Sequence, residues 1–414
     1  MSSVVVQVGQ CGNQVGQQFW KHVLHDKQQV ENNSSVYVHP DGKFRSVNID
    51  AEPKVVRRLM KDAKKSNFRE SNIIVGRQGC GTNWAIGYHG VRTEHDKLIS
   101  SCVEGLRKEI ERCDTFCGVI MMHSLSGGTG SGLGSHLAEV IRDEYPMNYL
   151  LSGVVAPYKS GESPLQHYNT LLTTAHLQRY SDGIILFQND EVLYQLSKKS
   201  RDGGVGISFS KMNEQIASCL CGTVLPIDTL SPKRYHSIGI EPWELVRSVC
   251  PMPSMKFIYT NQVSRNKCSW DNLTTALLNS HNRYNKNGEP YRTLSNLVIV
   301  RGDRNNTFPS YTNKMEEKIK LAYNTVKWNP FPVDFWRGSH NTLGAMKDST
   351  SLTLASNNSN IVEYLEDILE KSRAKYDARA YLHWYWKHGC TGDDFEDAFT
   401  TLQTIVDDYK ESIS

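Results

Sequence analysis

Residues 126–132 read Ser-Gly-Gly-Thr-Gly-Ser-Gly, and this glycine-rich stretch constrains the fold more than any other part of the chain. An apolar run at residues 119–122 precedes it, and apolar residues at helical spacing follow from Leu133. This order predicts a strand, a tight turn and a helix. Glycine allows positive φ and close approach to a ligand, and the amides at a helix N-terminus bind anions. We therefore expect this stretch to bind a nucleotide phosphate.

Two well-known phosphate-binding patterns do not match this stretch. A Walker P-loop needs Gly-Lys-Ser/Thr, and no lysine follows the glycines here. The stretch does not match the dinucleotide pattern G-x-G-x-x-G either, which opens a helix directly after a first strand and has an acidic partner further on. A flexible Gly/Ser linker is the alternative, although linkers seldom lie between a buried strand and an amphipathic helix.

Two further glycine loops support the phosphate-binding interpretation. Residues 9–14 follow the first predicted strand, and residues 79–84 form a third loop. Each loop is weak support alone, because glycine is common in strand-to-helix turns for steric reasons. Several such loops after neighbouring strands indicate one shared phosphate site.

Composition excludes several other classes of protein. The chain has 414 residues, enough for two or more domains, and a net charge of +3, too small to indicate nucleic-acid binding. No apolar run approaches the ~20 residues of a membrane span. The first strand pattern has no basic region before it, which argues against a signal peptide. Ten cysteines without paired CxxC units disfavour zinc and are typical of reduced thiols in the cytoplasm.

The order of predicted elements indicates an α/β fold. Strands predicted at residues 4–8, 46–49, 117–122, 150–155 and 183–187 alternate with helices predicted at 14–25, 53–65 and 98–112. Such alternation is typical of a Rossmann-like parallel sheet with helices on both faces, whose ligands bind at the carboxyl ends of the strands.

The pattern changes in the second half of the chain. Strands are predicted at 256–260, 296–301 and 351–355, with helices at 274–280, 315–322, 361–386 and 393–412. We therefore predict four segments: a Rossmann-like nucleotide-binding domain (1–209), a central helix (210–222), a smaller mixed α/β intermediate domain (223–360) and a pair of C-terminal helices (361–414).

Six short motifs occur in an order that resembles the tubulins. They are residues 10–14 (QCGNQ), 50–53 (DAEP), 83–85 (NWA), 127–132 (GGTGSG), 168–169 (YN) and 383–385 (HWY). The chain is most similar to the delta-tubulins, on residues 50–55, 188–190, 207–210 and 394–399. Residues 3–10 are also similar to the start of epsilon-tubulins.

The resemblance implies GTP and Mg²⁺ as cofactors. The phosphates would be held by the three glycine loops and by the end of the strand before residues 126–132, which we call the glycine signature. The residues implied are Gly9, Gln10, Cys11, Gly81, Thr82, Asn83, Ser124, Gly127, Gly128, Thr129, Gly130 and Ser131. Glu52 is expected near the magnesium, through water, together with Gln10. A helix-capping role before Pro53 is the alternative for Glu52.

The resemblance also implies residues for the nucleoside. Glu162 matches a residue that contacts the ribose, Asp190 and Asn213 match residues that read the guanine, and Phe209 would stack on the base. Ordinary core packing is the alternative for Phe209. Asp190 replaces an asparagine that is usual in tubulins. Because a carboxylate can accept hydrogen bonds from two guanine donors, and charge-assisted hydrogen bonds are strong, we expect the preference for guanine to be retained.

Three other departures from the tubulin pattern concern the site. Ser126 replaces the first of three usual glycines, and a serine there needs a compatible backbone conformation. Thr82 stands where tubulins usually have asparagine, and Gln166 replaces a usual glutamate.

Hydrolysis in tubulins uses an acidic residue from the next subunit, and the matching residue here is Glu244, on a helix predicted at residues 242–248. We hypothesise that Glu244 positions or deprotonates the attacking water in trans, with Glu241 as a possible substitute. A solvated surface glutamate is the alternative.

The leading interpretation is a GTP-binding cytoskeletal protein that contacts other tubulins longitudinally. As in delta-tubulins, it would act at the centriole or basal body of cilia, in triplet microtubules. A nucleotide-bound structural or capping subunit without turnover is a second interpretation. A metabolic nucleotide enzyme is a third, and it lacks a His or Cys constellation beside the glycine loops.

Overall fold

The structure, a computed structural model, describes residues 2–29, 36–54, 56–57, 67–90, 92–199, 206–227, 242–341, 343 and 349–413. The chain forms two compact units. The first comprises Met1–Gln17, Ser34–Ile184 and Tyr364–Asp408, and the second comprises Gln18–Asn33, Ile185–Glu363 and Tyr409–Ser414.

The first unit is built on parallel strands in the order β3-β2-β1-β4-β5. These strands are β1 (Ser2–Val8), β2 (Ser46–Asp50), β3 (Ile73–Val75), β4 (Phe116–Ser124) and β5 (Tyr149–Ala156). Every residue of β1 and β2 is buried, as a parallel sheet covered on both faces requires. The Rossmann-like parallel sheet expected from the alternating pattern is confirmed.

Five helices of the described chain lie between these strands or directly after them. They are α1 (Gly9–Gln29), α2 (Trp84–His89), α3 (Arg92–Glu111), α4 (Gly134–Glu144) and α5 (Gln166–Tyr180). Strand β6 (Gly183–Gln188) follows α5, and the chain enters the second unit within it.

The second unit is mixed α/β. Strand β10 (Ser349–Asn358) pairs antiparallel with β7 (Phe257–Asn266) and β8 (Thr293–Arg301), and β8 pairs parallel with β9 (Val333–Gly338). Its helices are α6 (Asn189–Lys199), α7 (Phe209–Val224), α8 (Pro242–Val249), α9 (Trp270–Asn279) and α10 (Thr312–Ala322). A core of aliphatic side chains from β7, β8, β10, α9 and α10 holds it together. The mixed α/β architecture expected for the second half of the chain is confirmed.

The C-terminal part is helical, as predicted, but one boundary was wrong. The sequence predicts a single helix over residues 361–386, whereas the structure has α11 (Asn360–Asp377) and a separate α12 (Leu382–Trp386), followed by α13 (Gly392–Ile413). Between α11 and α12, Arg379 and Tyr381 take positive φ of 52° and 61°. The Tyr168 hydroxyl donates to the Ala380 carbonyl at 3.1 Å, a tertiary contact that overrides local helix propensity.

One predicted helix lies largely outside the described residues. Of the helix predicted at residues 53–65, only residues 53, 54, 56 and 57 are described, and these are helical. Within the described part of the chain, no helix is long and apolar enough to cross a membrane.

Candidate nucleotide-binding site

The first glycine loop is the start of helix α1. The sequence predicts this helix from residue 14, but it begins at Gly9, directly after β1. Gly9 has φ of 73°, a conformation that favours glycine. The amides of Gln10 and Cys11 lie in the first helical turn, where backbone N–H groups have no partner within the helix. These amides can bind an anion, and the Gln10 side chain is exposed beside them.

The glycine signature also starts a helix, of an unusual kind. After β4, Gly127 is extended (φ −79°, ψ 159°), and Gly128–Leu133 form a π-helix that runs into α4. Single π-turns of this kind are frequent at functional sites. The Ser131 amide and hydroxyl both donate to the Gly127 carbonyl, and the Ser131 side chain is buried. Amides earlier in this turn, at residues 127–130, are therefore the ones placed to meet a phosphate.

The signature glycines serve close packing rather than positive φ. None of the four has positive φ. A Cβ on Gly128 would lie 2.8 Å from the Cys80 carbonyl oxygen, one on Gly130 would lie 2.6 Å from Ser124 Oγ, and one on Gly132 would lie 2.1 Å from the Trp84 carbonyl oxygen. Ser126 does not have positive φ either, so its replacement of a usual glycine is compatible with the loop.

The three glycine loops converge around the signature. A Cβ on Gly9 would lie 3.0 Å from the Gly130 amide nitrogen, which joins the first loop to the signature. In the third loop, Asn83 caps α2 by accepting from the Ala85 amide at 2.8 Å, and Thr129 is hydrogen-bonded to the Cys80 side chain. The phosphate-binding loops expected from the sequence therefore share one location in the first unit.

Asn169 ties the third loop to the signature. Its side-chain nitrogen donates to the carbonyl oxygens of Thr82 at 2.8 Å and Ser126 at 2.7 Å. Its side-chain oxygen accepts from the Trp84 amide at 3.0 Å and from the Tyr385 hydroxyl at 2.6 Å. The side chain is fully buried and all its hydrogen-bonding capacity is used, so it fixes the relative position of the two loops.

Thr82 adopts a conformation that its side chain disfavours. Its φ is 56°, in the left-handed region, which a β-branched residue rarely occupies. Asparagine, usual at this position in tubulins, tolerates the region better. Thr82 is exposed, so its side chain gains little packing in return. The third loop is therefore strained at this residue.

Two carboxylates lie beside the third loop. Glu52 approaches Gly79 so closely that a Cβ there would lie 2.1 Å from Glu52 Oε1. Burial raises the pKa of Asp50 to about 6, with the nearby Glu52 charge as a smaller cause. A cation would relieve this repulsion, and Mg²⁺ takes few carboxylates and several waters. The pair therefore fits the expected magnesium, although no cluster of three or more His, Cys, Asp or Glu side chains suited to a metal occurs among the described residues.

The nucleophilic and basic side chains next to the loops are held neutral. Burial, with the Glu162 charge as a smaller cause, raises the pKa of the Cys11 thiol to about 12. Burial lowers the pKa of His123 to about 4, and its ring packs against Gly134 at the start of α4. Neither side chain is suited to act as a nucleophile or base at neutral pH. Glu162 lies in the loop formed by residues 158–163, and its charge is the smaller of the two causes that raise the Cys11 pKa.

The residues expected to read the base belong to the second unit. Asp190 lies in the first turn of α6, and Phe209 and Asn213 lie four positions apart on one face of α7. The Phe209 side chain is 62% exposed, so the alternative of core packing is excluded for it. Glu244 lies in the first turn of α8 and is partly exposed. Glu241 lies outside the described residues.

Three residues of the site were not assigned roles from the sequence. Asp50 and Asn169 stand inside motifs that pointed to the family, but many residues around Asn169 are polar, so no local pattern marks its buried hydrogen-bonding role. The contacts of Gln166, described below, depend on a turn that brings residues 158–163 back to the start of α5, and no local pattern shows this.

Comparison with known proteins agrees with this geometry. The profile of the Tubulin/FtsZ family, GTPase domain, matches residues 2–197, which include all three glycine loops. The human tubulin delta chain is 28% identical over 465 aligned positions, covering 99% of both chains, and the mouse tubulin delta chain is 27% identical with the same coverage. A nucleomorph tubulin beta chain from Guillardia theta is 27% identical and covers 99% of this chain and 95% of its own length. The chain therefore carries a Tubulin/FtsZ-family GTPase domain at residues 2–197 and is similar to tubulin delta chains over nearly its whole length.

Proposed function

We propose that this protein binds GTP with Mg²⁺ at the three glycine loops, assembles longitudinally with other tubulins, and acts in the cytoskeleton at centrioles or basal bodies, in triplet microtubules of cilia. The convergence of three loops with helix-start amides in the first unit carries the GTP-binding part. The cellular location rests on similarity to proteins named tubulin delta chain.

The phosphate end of the proposed site combines fixed dipoles with few charged groups. Amides of Gln10, Cys11 and residues 127–130 would accept the phosphates, and Asp50, Glu52 and Gln10 would hold Mg²⁺ largely through water. The metal would neutralise developing phosphate charge when bound. We propose Glu162 for the ribose hydroxyls, Asp190 and Asn213 for the guanine edge, and Phe209 for stacking.

We propose that hydrolysis is completed in trans by Glu244. Cys11 is a neutral thiol and His123 a neutral, buried ring, so neither supplies a base for the attacking water. Glu244 lies in the first turn of α8 and is partly exposed, as a carboxylate offered to a neighbouring subunit must be. This arrangement predicts turnover that depends on assembly.

A complementation experiment tests this proposal. Glu244→Ala keeps the glycine loops intact, whereas Gly130→Ala brings a Cβ to 2.6 Å from Ser124 Oγ and disables the loops. Each variant alone should bind partners but hydrolyse GTP at least tenfold more slowly than the unmodified protein. An equimolar mixture should recover turnover, because Gly130→Ala subunits supply Glu244 to intact sites. No recovery, with GTP binding by Glu244→Ala unchanged, would contradict action in trans.

A nucleotide-bound structural or capping subunit without turnover is the second candidate. The strained Thr82 and the replacement of a usual glutamate by Gln166 favour it, since both alter the loops that surround the phosphates and ribose. Bound GTP that persists in assembled protein at every concentration would support this candidate. An epsilon-tubulin-like centriolar role is a further alternative, because residues 3–10 are similar to the start of epsilon-tubulins.

A further inference from the structure

Gln166 forms a clamp on the loop that carries Glu162. Its Oε1 accepts from the Glu162 amide at 2.7 Å and from the Ser163 amide at 3.4 Å. Its Nε2 donates to the Tyr158 carbonyl oxygen at 3.2 Å. The side chain is 1% exposed, so these contacts are shielded from water. One amide side chain thus joins both ends of the 158–163 loop.

Other contacts also hold the loop. Gly161 takes φ of 88° and donates its amide to the Tyr158 carbonyl at 3.1 Å, closing a tight turn. The Ser163 hydroxyl accepts from the Leu165 amide at 3.3 Å, and Lys375 Nζ donates to the Pro164 carbonyl at 2.6 Å. Residues 159–162 are themselves exposed. The Gln166 contacts therefore hold the backbone from which the exposed Glu162 side chain extends.

A glutamate at position 166 cannot form the same clamp. A carboxylate accepts from the Glu162 and Ser163 amides but cannot donate to the Tyr158 carbonyl, and it would repel that oxygen. It would also add a second negative charge one helical turn from Glu162. The amide is thus chemically required for this loop geometry, and its oxygen and nitrogen are both engaged within the loop.

We propose that Gln166 is a positioning residue that holds the 158–163 loop in place, so that the Glu162 carboxylate can bind the ribose hydroxyls. This inference rests on the proposed GTP binding. It adds that ribose recognition depends on one carboxylate and one amide clamp.

The test compares GTP with 2′,3′-dideoxy-GTP, which lacks the ribose hydroxyls. The unmodified protein should bind GTP tighter by about tenfold or more, as expected for one charge-assisted hydrogen bond. Glu162→Ala should reduce that ratio to about one. Gln166→Met and Gln166→Glu should reduce it to below threefold, although Glu162 is still present. The double variant Glu162→Ala with Gln166→Met should lose no more, because both changes remove the same interaction.

A second readout does not need nucleotide. In Gln166→Met the amides of Glu162 and Ser163 should exchange with solvent at least tenfold faster, while Gln166→Glu should keep them protected. Gln403→Met, a change of the same kind at an exposed position of α13, should alter neither exchange nor the GTP preference.

The possible outcomes separate this inference from the proposed function. A Gln166→Met protein that keeps the full preference for GTP, while Glu162→Ala loses it, would overturn the positioning role. GTP binding by the unmodified protein without any preference over the dideoxy form would overturn the ribose assignment alone. No GTP binding at all would overturn both proposals.

Discussion

The side-chain nitrogen of Asn169 donates a 2.7 Å hydrogen bond to the carbonyl oxygen of Ser126, immediately before the glycine signature. The same nitrogen reaches the Thr82 carbonyl in the third glycine loop. One buried side chain in α5 therefore determines the spacing of two loops that we propose to surround the phosphates.

Replacement of Asn169 by aspartate should weaken both stability and GTP binding. The carboxylate cannot donate to Thr82 and Ser126, and two partly buried carbonyl oxygens lose their partners at about 1–3 kcal/mol each. We expect the free energy of unfolding of the first unit to fall by about 2–6 kcal/mol, measured by urea denaturation. Tyr385→Phe, which removes one contact to the Asn169 oxygen and leaves both donors, should cost about 1 kcal/mol. Equal losses in the two variants would contradict the loop-spacing role.

Replacement of Thr82 by asparagine should stabilise the protein. Thr82 has φ of 56°, and asparagine occupies the left-handed region at lower cost, so we expect a gain of about 1 kcal/mol in the free energy of unfolding. Asn324 supplies the reverse control, since it is exposed and has φ of 44°. Asn324→Thr should lose about 1 kcal/mol. A loss of stability in Thr82→Asn would show that the threonine side chain makes a contact worth more than the strain.

Protonation of His123 should destabilise the fold in acid. Burial lowers its pKa to about 4, whereas the unfolded value is about 6.5. The unfolded chain therefore binds this proton first. The stability that His123 contributes is complete above about pH 6.5 and is lost as the pH falls towards 4, by about 3 kcal/mol.

The His123 effect can be isolated by comparing variants at two pH values. His123→Gln should show a loss of unfolding free energy between pH 7 and pH 4.5 that is smaller than in the unmodified protein by about 2 kcal/mol. His383→Gln, at an exposed position of α12, should leave the pH dependence unchanged. The same pH dependence in all three proteins would show that His123 is not neutral in the folded state.

The strands of the first unit were predictable because buried parallel strands are short apolar runs, as in β1 and β4. Strand β3 has three residues, and the exposed and buried residues of β9 do not alternate regularly, so neither produced a clear pattern. The break after Asp377 follows residues that are ordinary helix formers. It depends on the hydrogen bond from Tyr168, which the local sequence does not show.

The candidate site, like the fold, could be predicted from the sequence only in part. The glycine loops were predictable because their composition is unusual and each follows a predicted strand. The sequence analysis expected the signature glycines to allow positive φ and close approach. In the structure none of them has positive φ, and close packing against Cys80, Ser124 and Trp84 requires them. The roles of Asn169 and Gln166 come from contacts made only after folding.

The central claim is that the converging loops hold a guanine nucleotide, and the nucleotide content of the purified protein tests it most directly. The protein would be purified without added nucleotide and denatured, and the released molecules would be separated by chromatography. We predict about one guanine nucleotide per chain, as GTP where hydrolysis awaits a partner's Glu244, or as GDP where assembly has occurred. Protein that releases no guanine nucleotide, even after incubation with GTP and Mg²⁺, would contradict the account.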